Sequence, residues 1–142
     1  MKTVRDDEGT LYLLLKQSES ASLVRDPSTG NECYVQNDRL TPVEGASPLE
    51  TAAAGVGEPV RRLLRGVHDE RTLGLLLELA DDGPTGVRTI LERYDFCESD
   101  LHGRLVELVA VGLLEEVAVD GERGYRLTET GERALAVVRD AE

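Results

Sequence analysis

Two cysteines, Cys33 and Cys97, and two histidines, His68 and His102, are the side chains of this 142-residue chain best suited to metal or redox chemistry. Zinc sites draw on closely spaced Cys or His pairs, because one short stretch of backbone then presents both donors to the ion. No such pair occurs here, and the four residues fall in four separate segments. No metal site is expected. Cys97 stands just ahead of a helical pattern, where the aligned peptide dipoles lower a thiol's pKa. Asp95, Glu98 and Asp100 crowd it and oppose thiolate formation, so an inert cap thiol is expected over a redox switch. Catalytic signatures are missing as well. There is no G-x-S-x-G elbow, and Gly55 and Gly57 lack the preceding strand that a phosphate loop needs. In a chain with 28 carboxylates, pairs of acids are expected to be solvated surface. Neither an enzyme nor a cofactor is anticipated.

Those carboxylates set the character of the surface. The net charge is -12, and lysine occurs only at Lys2 and Lys16, the other basic residues being arginine. An acidic surface almost without lysine resembles that of proteins from salt-in halophilic archaea, where carboxylates keep a protein hydrated in molar salt. An apolar fraction of 40% is enough for a packed core. With one Phe, four Tyr and no Trp, that core must be built from Leu and Val. No run approaches the ~20 apolar residues of a membrane span. Arg5-Asp6-Asp7-Glu8 interrupts the N-terminus before any apolar run, unlike a signal peptide. A cytoplasmic protein with reduced thiols is expected.

The pattern along the chain is that of an α+β protein with three parts: a small β domain over 1–45, a helical linker over 46–68 and a larger module over 69–142. In the first part Thr10–Lys16, Ala21–Arg25 and Asn31–Gln36 read as strands between Gly, Pro and Asp turns, a meander of about three strands. Cys33 and Val35 share one face of the last strand, and Tyr34 takes the other. A sheet this small needs a helix or a partner chain on its apolar face. Ser47-Pro48-Leu49-Glu50 then combines a capping Ser, Pro at the first helical position and Glu three residues after the cap. Pro59 opens a second short helix, Val60 to Arg65.

Asp69 caps the next helix, in which Leu73, Leu76, Leu77 and Ala80 recur at the spacing of one face. Asp81-Asp82-Gly83-Pro84 stops it. A second helix covers Gly86 to Tyr94, with Val87, Ile90 and Leu91 inward. After the turn Asp95-Phe96-Cys97 a third runs from Glu98 to about Val111, its buried side marked by Leu101, Leu105 and Leu108. Glu115–Val119 and Gly124–Leu127 read as strands joined by Asp120-Gly121-Glu122-Arg123. Thr128 caps a last helix carrying Ala134, Leu135 and Val138.

A short helix, a tight turn and a longer helix closing on Val111-Gly112-Leu113-Leu114-Glu115, followed by a hairpin and the junction Tyr125-Arg126-Leu127-Thr128-Glu129-Thr130-Gly131-Glu132, resembles the winged helix-turn-helix domain of MarR- and ArsR-type transcription regulators. The resemblance implies a DNA-binding regulator whose third helix, about 98–111, enters the major groove while a wing at 120–124 meets the backbone. Carried over position by position, it implies base or phosphate contacts from Ser99, His102 and Arg104, and phosphate contacts from Arg88 and Arg123. Such regulators generally bind double-stranded DNA as homodimers. Either the last helix, with Ala134, Leu135 and Val138, or the Leu63-Leu64 segment is placed to supply the contact.

The sequence departs from that pattern in its charge. From Val67 onward eight arginines face eighteen carboxylates, and Glu98 and Asp100 sit where phosphates would approach. In dilute buffer such a domain is repelled by DNA. Molar salt screens distant carboxylates but also removes the counterion-release gain, so binding would rest on few, short contacts. The alternative is an acidic winged-helix adaptor that binds a protein partner in transcription or replication machinery. Val106, Val109 and Val111 favour it, because they leave the third helix apolar around more of its circumference than groove reading needs. Packing against residues 1–68 would also account for them.

Overall fold

In the computed structural model, which describes residues 1–140, the chain is mixed α+β and divides into two compact units, 1–57 and 58–142.

The first unit is an antiparallel sheet of five strands: β1 (Lys2–Arg5), β2 (Leu11–Gln17), β3 (Ala21–Arg25), β4 (Glu32–Gln36) and β5 (Thr41–Pro42), in the order β4-β3-β2-β1-β5. The meander expected from sequence is β2-β3-β4, one side of this sheet, with β4 at its edge. β1 and β5 are additional, and neither is long enough to show a period of two. The β1–β2 turn is held by the Asp6 carboxylate, which accepts the N–H groups of Glu8 and Thr10 at 2.9 and 2.8 Å. Val4, Val24 and Val35 form a small buried cluster with Tyr12, Leu14 and Leu40 around it. Helix α1 (Pro48–Ala53) starts where its cap predicts, with Ser47 Oγ accepting from the Glu50 N–H. It rests on β1 and β2, and a buried hydrogen bond of 2.7 Å joins the hydroxyls of Thr51 and Thr3. The helix that so small a sheet requires therefore comes from the segment that follows it.

The second unit runs α2 (Glu58–Gly66), α3 (Glu70–Asp82), β6 (Thr85–Gly86), α4 (Val87–Arg93), α5 (Glu98–Ala110), β7 (Leu114–Val119), β8 (Glu122–Leu127) and α6 (Glu129–Asp140). Residues 46–68 thus hold one helix of each unit. The core is aliphatic apart from Tyr125: Leu63, Leu75, Leu76, Leu79, Ile90, Leu101, Leu105, Leu108, Leu113, Leu114, Leu127, Ala134 and Leu135. Asp69 caps α3 by accepting from the Thr72 N–H at 2.9 Å. The buried face of α3 differs from the expected one, being Thr72, Leu75, Leu76 and Leu79, while Ala80 is exposed. Leucine occurs at five of the seven positions from 73 to 79, so the sequence pattern does not define a side.

Gly112, at φ +81°, lets the chain leave α5 sharply: its N–H donates to Val109 C=O and that of Leu113 to Leu108 C=O, both at 3.0 Å. Leu113 and Leu114 are thereby driven into the core. The β7–β8 hairpin closes through two residues only, Asp120 and Gly121, at φ +50° and +80°. This is tighter than the four-residue turn expected, so Glu122 and Arg123 belong to β8. Its other side pairs with β6, Thr85 opposite Tyr125 and Gly86 opposite Gly124, giving a sheet in the order β6-β8-β7 in place of a bare hairpin. α6 buries Ala134 and Leu135, whereas Val138 is exposed. Leu63 is likewise in the core, and Leu64 faces outward. Among the described residues no helix is long and apolar enough to cross a membrane.

Candidate functional site

An open cleft of about 920 Å³ lies between α4, the first half of α5 and β8. Leucine spacing on α5 produces it. Leu101, Leu105 and Leu108 anchor one side in the core, which turns Ser99 and His102 out along the opposite side. On α4 the same logic buries Ile90 and exposes Arg88. On β8 Arg123 and Tyr125, two positions apart, share a face; Tyr125 is buried, and Arg123, nearer the hairpin turn, is exposed. Arg88, Ser99, His102 and Arg123 all line this one cleft, over an apolar floor that includes Val87, Leu91 and Leu105.

The polar groups are already partly matched. Arg88, with 85% of its side chain exposed, has Nε 3.9 Å from the Glu122 carboxylate. Arg123 Nε lies 3.8 Å from Glu116. Both distances are at the outer limit of an ion pair, and both arginines remain accessible. Glu98 and Glu122 also line the cleft, so its walls carry both signs of charge.

Arg104 stands apart from the other four. Its side chain is only 18% exposed and is held from three directions. Nη1 donates to both oxygens of Asp69 and to Thr72 Oγ1, Nε donates to Asp100 at 3.1 Å, and the guanidinium lies 5.4 Å from the Phe96 ring centroid. Arg71 stacks on the same ring at 4.5 Å and donates to Asp95 C=O. The turn between α4 and α5 is thus fastened by two arginines on one phenylalanine. Arg104 lines a separate cleft of about 420 Å³ with His68, Asp69, Thr72 and Glu107.

A family model matches residues 1–139, nearly the whole chain. The protein belongs to a family of unknown function, DUF7346. No curated protein and no solved structure matches it. The DUF7346 match spans both units, so the N-terminal sheet is as much a part of the family as the helical unit carrying the cleft.

Cys97 occupies the N-cap of α5, beside the cleft, with its sulfur 3.6 Å from Ser99 Oγ. The Ser99 hydroxyl and the Asp100 N–H together hold the thiol below its usual pKa, against the opposing effects of desolvation and the Asp100 carboxylate. Among the described residues no group of three or more His, Cys, Asp or Glu is arranged to hold a metal ion. Sequence reasoning missed Glu122 and Tyr125 as cleft residues. Glu122 falls within the sequence pattern of the hairpin turn, and the place of Tyr125 depends on the pairing of β8 with β6 as well as β7.

Proposed function

We propose that the second unit is a winged helix-turn-helix module and that the protein is a DNA-binding transcription regulator working at high salt. One observation carries this reading: four residues from three separate elements, Arg88, Ser99, His102 and Arg123, converge on a single open cleft beside the N-terminal half of α5. The helix would lie in the major groove, with Ser99 and His102 toward base edges. Arg88 and Arg123 would take phosphates on either side, fixing register without reading sequence. Arg104 contributes by locking the α4–α5 turn.

Salt makes the acidic surface compatible with this role. At roughly 1 M ionic strength the Debye length is about 3 Å, so carboxylates remote from the duplex are screened while direct contacts persist. The same screening loosens the long Arg88–Glu122 and Arg123–Glu116 pairs, which frees both guanidinium groups for phosphate.

The test is binding to a pool of duplex genomic fragments in about 2 M KCl, where non-specific electrostatic binding is suppressed. Selective recovery by the wild type, reduced by Arg88→Ala or Arg123→Ala and lost in the double variant, is the expected result. Absence of selectivity at every salt concentration rules the reading out.

A second reading, an acidic adaptor for a protein partner, is favoured by Val106 and Val109, which are 51% and 39% exposed along α5. Under it Val106→Asp abolishes capture of a transcription or replication subunit, while Arg88→Ala leaves capture unchanged.

A further inference from the structure

The two edges of the five-stranded sheet differ in kind. β5 is two residues long and includes Pro42, which has no N–H to offer another strand. β4 runs for five residues, Glu32-Cys33-Tyr34-Val35-Gln36, without proline, lysine or glycine, and pairs with β3 in unbroken register. Two hydrogen bonds fix which of its backbone groups remain available. At one end of the β3–β4 pair the Asp26 N–H donates to Asn31 C=O, and at the other the Asn37 N–H donates to Ser20 C=O, each at 2.9 Å. In an antiparallel ladder every second opposed pair exchanges such bonds. The opposed pairs Val24–Cys33 and Ser22–Val35 fall on that alternation. Cys33 and Val35 therefore turn their backbone groups toward β3, and Glu32, Tyr34 and Gln36 turn theirs away from the sheet. Among the described residues no strand pairs with that side of β4.

We propose that this edge pairs with β4 of a second copy of the chain, antiparallel and centred on Tyr34, to make a closed two-fold dimer. The register sets Tyr34 opposite the partner's Tyr34, Glu32 opposite the partner's Gln36 and Cys33 opposite the partner's Val35. All three outward N–H groups and all three outward carbonyls of each copy are then matched. Hydrogen bonding and charge select this register. A slip of two residues that sets Glu32 opposite the partner's Tyr34 leaves Gln36 outside the ladder, so only two of the three outward positions are matched. A slip of four brings Glu32, the one charged residue of the strand, against the partner's Glu32, whereas here it meets a neutral amide able to donate to it. Tyr34, 63% exposed, gains an aromatic neighbour. The two-residue, proline-bearing edge at β5 offers no equivalent ladder, so the assembly stops at two copies and does not extend as a ribbon. The sequence expectation for a dimer rested on the last helix or Leu63-Leu64, but Leu63, Ala134 and Leu135 lie in the core of the second unit.

Sedimentation equilibrium of the full chain tests this. The wild type is expected at twice the 15.5 kDa monomer mass. Tyr34→Pro removes only an N–H that points away from β3, so it should leave the ladder to β3 intact and give a monomer. Gln36→Glu sets two like-charged pairs across the interface and should weaken the dimer by about tenfold in ~0.3 M KCl, with less effect in 2 M. Adding Glu32→Gln to Gln36→Glu should restore it, a recovery that a folding defect would not show. A wild type that stays monomeric at several hundred micromolar overturns the proposal. So does a dimer indifferent to Tyr34→Pro, or a double variant that fails to recover. None of these outcomes depends on whether the chain binds DNA.

Discussion

Arg104 Nη1 donates to both carboxylate oxygens of Asp69, at 2.8 and 2.9 Å, and so ties α5 to the residue that caps α3. The Arg104 guanidinium, helped by the Thr72 N–H, holds the Asp69 pKa at about 2, against an ordinary value of 3.8. A carboxylate whose folded pKa lies below its unfolded one stabilises the fold above the unfolded value and loses that contribution as pH falls through the folded one. Arg104→Ala is therefore expected to lower the melting temperature by roughly 3–8 °C at neutral pH. The gap between variant and wild type should narrow between pH 4 and pH 2. Thermal melts of both proteins across that range check it, and a constant gap would show that the ion pair is not its source.

Thr128 joins the exit of α5 to the start of α6. Its hydroxyl donates to Gly112 C=O at 2.6 Å and accepts from the Gly131 N–H at 3.1 Å, while its own N–H donates to Leu113 C=O. Thr128→Val keeps the shape and removes both hydroxyl bonds, at an expected cost of about 1–2 kcal/mol. Thr128→Ser should retain most of the stability. Denaturant titrations in high salt measure both, and equal losses from the two variants would mean that the methyl group matters as much as the hydroxyl.

Features that act within one turn of chain were legible in the sequence. Ser47, Asp69 and Thr128 each accept the hydrogen bond of a helix cap, and Gly112 adopts the left-handed conformation that ends α5. The leucines of α5 face the core at the spacing of one helical side. Features that depend on distant partners were not legible. β5 and β6 have two residues each and become strands only through β1 and β8. Arg104 reads as one more exposed arginine of a helix until Asp69, thirty-five positions earlier, is brought beside it. The candidate cleft divides the same way: exposure of Ser99, His102 and Arg88 follows from periodicity, while the nearness of Arg123 and Glu122 follows from the pairing of β6 with β8.

That pairing requires Gly124. A Cβ added there would lie 2.7 Å from Thr85 O and 2.6 Å from a Val119 methyl, and the carbonyl belongs to the paired backbone of β6. Gly124→Ala should cost about 1–3 kcal/mol by forcing β6 from β8. Gly74 and Gly103 are the controls, since each lies in a helix with nothing within 4 Å of an added Cβ. Gly74→Ala and Gly103→Ala should each stabilise by up to about 1 kcal/mol through helix propensity alone. Equilibrium unfolding of the three variants separates the two effects, and a neutral Gly124→Ala would mean that β6 yields without loss.

Reactivity at Cys97 reports on the first turn of α5. The sequence suggests that Asp95, Glu98 and Asp100 should suppress its thiolate. In the structure the Asp100 carboxylate is engaged by Arg104, and the Asp100 N–H and the Ser99 hydroxyl turn toward the sulfur. The net direction is downward from the usual thiol value, with Ser99 as the largest cause. In a Cys33→Ser background, the rate of alkylation by iodoacetamide should rise with pH about a midpoint lower than that of an unstructured cysteine peptide. Ser99→Ala should move that midpoint upward, and Arg104→Ala should do so as well, by releasing the Asp100 charge toward the sulfur. A midpoint unchanged by Ser99→Ala would place the control of this thiol in the helix terminus alone and remove the serine from any part in it.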